Sequence, residues 1–367
     1  MTSMAEPTIV NVQLSRYSSD IHGQPAALRA LADRLALPGA FAPITARWQE
    51  LGRPSIVITG MGASLYAAEA AVAQVPLSVA RVQVIATAQL LEQPRHLDDM
   101  LVIAVSQSGE SVEIRELLDA VAADRLAAIT NSADSSLGRS VAGSLVLALP
   151  GDRSVAIKTY TGTLAAIVLM LQSLNQEALA VDDIRDAAEM IETSLPSWTV
   201  AASSAAGRIG DARAIAVLGW GAMAATARAA ALVFKEAART PSEGMHADDF
   251  RHGSVEVVDS RFGALVFANS SSTRSDPWLA VAEITRANGH VVVIGGRLEG
   301  EASPGTVTHI ATTPRPGIAA LLTDIVPVQL LCARLAELSG FEAGEFRNTT
   351  PVITERPSGR LVSAPRQ

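Results

Sequence analysis

Cysteine occurs once in the 367 residues, as Cys332, so neither an intrachain disulfide nor a multi-cysteine zinc or iron–sulfur site is available. The thiol falls in the apolar helical stretch 325–339 and is expected in the core, where free cysteines usually sit. The six histidines are dispersed without an H-x-x-x-H pair, and no metal or other cofactor is expected. Lysine is nearly missing: of 29 Lys and Arg residues only Lys158 and Lys235 are lysines, so chemistry through an amine nucleophile must use one of them. A basic excess is also missing. The formal charge is −8 and no Lys/Arg block compensates locally, which argues against nucleic acid as a partner. Uninterrupted apolar runs, such as those around 213–219 and 291–296, fall far short of the ~20 residues of a membrane span. Residues 1–30 lack the basic-then-apolar order of a signal peptide, so the expectation is a cytoplasmic protein with no membrane partner.

What is present is apolar material, 49% of the chain, enough for two cores at ~100–200 residues per domain. The same order of elements occurs twice. Ser55–Thr59 is a β-branched run ending in Gly60-Met61-Gly62 and followed by an Ala-rich helical stretch to about Gln74. Offset by 159 residues, Ala214–Leu218 ends in Gly219-Trp220-Gly221 before an Ala-rich helix over about 224–238. Leu101–Val105, running into Ser106-Gln107-Ser108-Gly109 and a helix over 111–123, pairs with Ala264–Ala268, Asn269-Ser270-Ser271-Ser272 and a helix over 277–288. Leu126–Thr130 and Val291–Ile294 form a third pair. Continuously apolar strands alternating with helices indicate parallel sheets covered on both faces. The fold class is therefore α/β, two doubly wound parallel-sheet domains related by internal duplication, at 20–178 and 196–340. Residues 176–196 read as a connecting helix ended by Pro196. Residues 341–367 form a tail whose last dozen residues are expected to be loosely ordered.

Ligands of open parallel sheets bind outside the carboxyl ends of the strands, where Ser106-Gln107-Ser108-Gly109-Glu110-Ser111 falls. Three hydroxyls and a carboxamide crowd a turn before a helix, whose free N–H groups and positive dipole end attract an anion such as phosphate. A simple helix cap by Ser108 or Ser111 is the competing reading. Gly60-Met61-Gly62 does not continue into a dinucleotide fingerprint: Leu65 occupies the third glycine position, and Val79–Thr87 holds no acidic residue for a ribose. No Gly-Lys-Ser/Thr of a Walker loop occurs. A second candidate is Lys235-Glu236 at the last turns of the helix 224–238, followed by a loop carrying His246, Asp248 and His252. A carboxylate and an imidazole so placed could share proton transfer, or could simply be solvated surface.

Several motifs in order resemble the sugar-isomerase (SIS) domain family, in particular the isomerase half of glucosamine-6-phosphate synthase and its stand-alone deaminase and deglycase relatives. Asp20-Ile21-His22-Gly23-Gln24-Pro25 is similar to E-I-x-E-Q-P, Ser106–Ser111 to S-Q-S-G-E-T, and Lys158-Thr159-Tyr160-Thr161 to K-A-F-T. Residues 230–236 are similar to G-A-L-K-L-K-E, and Phe250-Arg251-His252-Gly253-Ser254 resembles part of E-L-K-H-G-P. The resemblance implies that Ser64, Ser106, Gln107, Ser108 and Ser111 hold a sugar phosphate. It also implies that Glu236 shuttles a proton between C1 and C2, and that His252 opens the sugar ring from the neighbouring subunit of a homodimer. The Ala-rich helix 224–238 is a candidate for packing on that neighbour.

Two departures accompany it: Val233 and Pro351 stand where those relatives carry lysines, and only Lys158 and Lys235 could take over. The chain begins Met1-Thr2-Ser3, without the N-terminal cysteine nucleophile of a glutaminase, so glutamine hydrolysis is not expected. The expected activity is that of a phosphosugar aldose–ketose isomerase or deaminase, converting an amino-sugar 6-phosphate into a ketose phosphate and ammonia. The alternatives are a non-catalytic sugar-phosphate sensor, or a deglycase of fructosamine 6-phosphates.

Overall fold

The computed structural model describes residues 14–76, 78–92, 97–141, 143–269, 272, 276–296, 306–313 and 317–355. Helices α1 (Arg16–His22), α2 (Gln24–Leu35) and α3 (Ala42–Glu50) lead into β1 (Ser55–Gly60), α4 (Gly62–Gln74), β2 (Val82–Ala86) and α5 (Thr87–Glu92). Then come β3 (Met100–Ser106), α6 (Val112–Ala120), β4 (Leu126–Thr130), α7 (Ser136–Ser140), β5 (Gly143–Val146) and α8 (Lys158–Asn175). After α9 (Val181–Ile209) the second half runs β6 (Ala214–Gly219), α10 (Ala222–Ala237), β7 (Ser242–His246), α11 (Ala247–Phe250) and β8 (Phe262–Phe267). It ends with α12 (Pro277–Arg286), β9 (His290–Gly295), β10 (Val307–Ala311), α13 (Ile318–Thr323) and α14 (Ile325–Leu338).

Two five-stranded sheets result, ordered β2-β1-β3-β4-β5 and β10-β9-β8-β6-β7. The pairings are parallel throughout. Reading β6 to β10 as β1 to β5 makes the two orders identical, which is the duplication seen in the sequence. In each sheet the chain turns one way from its first strand and then crosses to the other side. The switch therefore lies between β1 and β3, and between β6 and β8.

Because strand side chains alternate between faces, every strand needs cover on both sides. Ile56 and Ile58 of β1 enter one large buried cluster with Val217, Leu265 and Val292 of the second sheet. Val57 joins Val102, Ala128 and Leu117 on the outer face of the first sheet. Leu218, Val266 and Ile284 do the same for the second. Length alone suggests two cores; the structure has one shared core with two flanks, because α4 packs on both α8 and α10. Alanine makes that approach possible: Ala67, Ala68, Ala70 and Ala71 of α4, and Ala227, Ala230 and Ala231 of α10, are all buried. The alanine face expected to meet a second subunit is thus largely covered within the chain.

Pro196 does not end the connecting helix but lies inside the 29-residue α9. An interior proline costs about 3 kcal/mol. The apolar stripe nevertheless continues past it through Ile191, Leu195, Trp198, Ala202 and Ile209, all buried, so burial along the whole helix outweighs the lost bond. Ile318–Leu338 is long and apolar enough to cross a membrane by composition, although polar residues interrupt it and no unbroken apolar run marks it. It is 89% buried inside the protein, broken at Asp324 and packed on α9 and α10. Cys332 is buried in it, and burial raises its thiol pKa well above the ordinary value. The expected loose order at the chain end lies outside the described residues.

Candidate active site

The loops after β1 and β3 meet at the switch point of the first sheet. Gly60 pairs with Val105, and a Cβ on Gly60 would lie 2.9 Å from the Val105 carbonyl oxygen and 3.2 Å from Ser64 Cβ. Glycine thus lets the first turn of α4 sit over the end of β3, which brings Ser64 beside the Ser106 loop. Within that loop the Ser106 hydroxyl accepts from Gly109 N–H at 3.1 Å, and the Ser108 hydroxyl accepts from Glu110 N–H at 3.2 Å. Gly109 has φ +65°, and a Cβ there would collide with the Ser135 side chain, so position 109 requires glycine. Glu110 closes the loop from behind, accepting from Ser136 N–H at 2.6 Å and from its hydroxyl at 2.8 Å. Those two bonds hold its carboxyl below the usual range.

Ser111 stands at the N-cap of α6, yet its side chain makes no capping bond. The cap reading therefore fails for Ser111, while the Ser106 and Ser108 oxygens do serve the turn as acceptors and keep their hydroxyl protons to donate. Gln107 is tied by its backbone carbonyl, which accepts from Asn131 N–H at 3.1 Å.

Glu236 lies in the last turn of α10, partly buried, and burial pushes its carboxyl up to about 7 against the opposing charge of Lys235. It lines a pocket of about 300 Å³ with Lys235, Arg239, Thr240 and residues 345–349 of the tail. That tail is a strap, which nothing in its composition ties to the site. It follows α14 and touches the end of α10 where Gly344 N–H donates to the Ala237 carbonyl at 3.4 Å, with Gly344 at φ +75° and no room for a Cβ beside Ser154 and Tyr17. Arg239 donates to the Glu345 carbonyl at 2.8 Å, and its guanidinium lies 4.1 Å from the Phe341 ring centroid. The strap reaches the serine loop where the Ile353 carbonyl accepts from Val112 N–H at 3.0 Å and that of Thr354 from Arg115 at 3.3 Å. Thr349 and Ile353 are close in sequence, so the Glu236 pocket and the N-terminus of α6 are bridged by at most ~14 Å of chain.

His252 is exposed and lines a different pocket, with Trp220, Asp248, Arg251 and Glu283. One chain does not bring it to Glu236. The segment expected to be a loop before it contains β7, whose polar residues Ser242, Glu243 and His246 suit an edge strand paired with β6. Asp248 lies in the first turn of the short α11 and accepts from Trp220 Nε1 at 3.2 Å.

Lys158 is not free for amine chemistry. It is buried and paired with Asp20 at 2.5 Å and Asp152 at 3.5 Å, so the 20–25 and 158–161 motifs meet as a structural joint. Thr161 donates to Gln24, and Gln24 donates to Gln329 at 2.8 Å, which extends the joint to α14. Val233 is buried and Pro351 exposed. Among the described residues no cluster of three or more metal-ligating side chains occurs.

The SIS domain profile matches residues 52–173 and 208–337. Glutamine–fructose-6-phosphate aminotransferase (isomerizing) of Thermus thermophilus is 27% identical over 267 residues, covering 69% of this chain and 44% of its own length. The chain thus spans less than half of that relative. The C-terminal domain of glucosamine-fructose-6-phosphate aminotransferase from Francisella tularensis superposes with a TM-score of 0.80 at 17% identity, covering 91% of this chain and 99% of that domain. Glucosamine-6-phosphate deaminase of Thermotoga maritima gives a TM-score of 0.69 at 15% identity, over 92% of this chain and 99% of that one. With its two halves each matched in sequence and folded around a five-stranded parallel sheet, the chain belongs to the SIS domain family.

Proposed function

We propose that this protein is a cytoplasmic phosphosugar aldose–ketose isomerase and deaminase that acts on an amino-sugar 6-phosphate of the glucosamine 6-phosphate type. The observation that carries the reading is Glu236, a carboxyl raised to about 7 and bridged by the strap to a serine-rich loop at the switch point of the first sheet. A base with a pKa near the working pH is suited to taking a proton from carbon and returning it.

Ser64, Ser106, Gln107, Ser108 and Ser111 would hold the phosphate, with the start of α6 adding its dipole. In the open-chain sugar the Glu236 carboxylate removes the C2 proton, and the electron pair moves to give an enolamine. Protonation at C1 yields the ketose imine. Water then adds at C2 and ammonia leaves, giving the ketose phosphate; with a hydroxyl at C2 the same transfer is a simple aldose–ketose isomerisation. His252 would open the ring from a second subunit, a role supported by its exposed position away from its own Glu236.

The test is incubation with glucosamine, galactosamine and fructose 6-phosphates and with a fructosamine 6-phosphate, assaying ammonia, amine and ketose phosphate. Turnover of an amino-sugar phosphate with ammonia release is expected. Micromolar binding of a sugar phosphate without turnover of any of them would replace the enzyme by a sensor.

A further inference from the structure

Tyr17, in the first turn of α1, is 1% exposed, and its hydroxyl has no hydrogen-bond partner among the described residues. An unpaired buried hydroxyl costs stability that a phenylalanine would not, so its presence asks for a use. Helix α1 is clamped beside the candidate base. Arg16 N–H donates to the Glu342 carboxylate at 3.2 Å, and the Tyr17 ring packs on Gly344, whose N–H donates to the carbonyl of Ala237, the residue after Glu236. Tyr17 does not line the Glu236 pocket and so stands on the packed side of that carboxyl, while Lys235, Arg239, Glu345 and Arg347 face it from the open side. Burial raises the phenol pKa well above its ordinary value, and three acids around it, Cys332, Glu236 and Asp152, add to the rise.

Of those three acids only Glu236 has a free acceptor to offer. Asp152 spends both carboxylate oxygens on the start of α8, accepting from the N–H groups of Ile157, Lys158 and Thr159 and from the Thr159 hydroxyl. The Cys332 thiol is buried and stays protonated, a weak acceptor. The Glu236 carboxyl makes no hydrogen bond among the described residues. On the phosphosugar reading, we infer that Tyr17 is a positioning residue for Glu236, its buried hydroxyl donating to the carboxylate when that group ionises to act as the base. Such a bond aims the carboxylate at the sugar and favours its charged form, which burial otherwise opposes. The phenol keeps its proton because it is by far the weaker acid, so Tyr17 takes no part in the transfer itself.

The experiment compares wild type with Tyr17→Phe, which removes the hydroxyl and leaves the ring packed on Gly344. It reads the pH profile of glucosamine 6-phosphate turnover, and the titration of the Glu236 carboxyl by carbon-13 NMR of glutamate-labelled protein, with the resonance assigned through Glu236→Gln. In the variant the acid limb of kcat/KM and the Glu236 titration should both lie about one to two pH units higher, the range of a hydrogen bond to a charged group. Below that limb kcat/KM should fall about 10- to 100-fold and recover as the pH rises, with KM unchanged. The urea midpoint at pH 5, where Glu236 is neutral in both proteins, should hold or rise, since an unpaired buried hydroxyl has gone. Matching titrations and pH profiles in the two proteins overturn the assignment. A loss that is equal at every pH, with a raised KM or a lowered urea midpoint, overturns it too, since it marks a tyrosine that only packs. If wild type turns over none of the sugar phosphates named above, the phosphosugar reading fails, and the carboxyl titration alone decides the contact with Glu236.

Discussion

Replacing Asp324 with asparagine isolates the cost of ionising one buried carboxyl from every other charge in the fold. Asp324 lies at the break between α13 and α14 with no solvent exposure. Its Oδ1 is approached by Thr323 at 3.2 Å and Asn269 at 3.4 Å, while Oδ2 has no hydrogen-bond partner among the described residues. Burial pushes its pKa to about 7, only partly countered by hydrogen bonds from Thr312, Asn269 and Thr323. The unfolded chain releases this proton near pH ~4 and the folded chain near about 7. The folded state therefore holds a proton that the unfolded state has lost, and stability falls as pH rises across that window. At ~1.36 kcal/mol per decade the full loss is about 4 kcal/mol as an upper bound. Asparagine keeps the shape and cannot ionise. Urea unfolding of wild type and Asp324→Asn at pH 5, 6, 7 and 8 should show the variant gaining on wild type by a few kcal/mol, most of it below pH 7, with other titrating groups cancelling in the difference. A pH-independent difference would refute the assignment of a neutral buried carboxyl.

Lys158→Met should destabilise the fold by about 3–5 kcal/mol, because Asp20 and Asp152 are left buried without their cation, and denaturant midpoints will show it. Ser108→Ala should weaken sugar-phosphate binding by about 1.5–3 kcal/mol while leaving the weak binding of the unphosphorylated sugar unchanged, as read by calorimetry. Mixing Glu236→Gln with His252→Ala subunits should restore part of the activity through a shared site. No recovery in verified mixed dimers would place both groups in one chain.

Strands buried on both faces were legible from sequence because an uninterrupted apolar run has few other uses in a chain without membrane-length runs. β1, β3, β4 and their counterparts β6, β8 and β9 all appear within two residues of their expected bounds. The outer strands were not legible. In β7 the residues Ser242, Glu243 and His246 face partly to solvent, and β2 carries the exposed Gln83, so neither shows the run that marks a central strand. The helix past Pro196 was missed because the local rule for proline was given more weight than the apolar stripe that crosses it. The serine loop was legible in composition, but its required glycine depends on Ser135, which reaches it from the far side of β4. The strap was missed for a similar reason. Phe341, Gly344 and Arg347 read as a polar tail until Arg239 and α6 are seen to hold its two ends.

The central claim is that Glu236 moves a proton between neighbouring carbons of a phosphorylated sugar. Glucosamine 6-phosphate turned over in deuterium oxide by wild type and by Glu236→Gln tests it directly, with mass and proton spectra reading deuterium at C1 of the ketose phosphate. Wild type should release ammonia and incorporate solvent deuterium at C1. Glu236→Gln should bind the sugar phosphate nearly as well but lose about 10²- to 10⁴-fold in turnover, the usual range for removing a general base. Wild-type turnover and labelling by the Glu236→Gln variant would contradict the account.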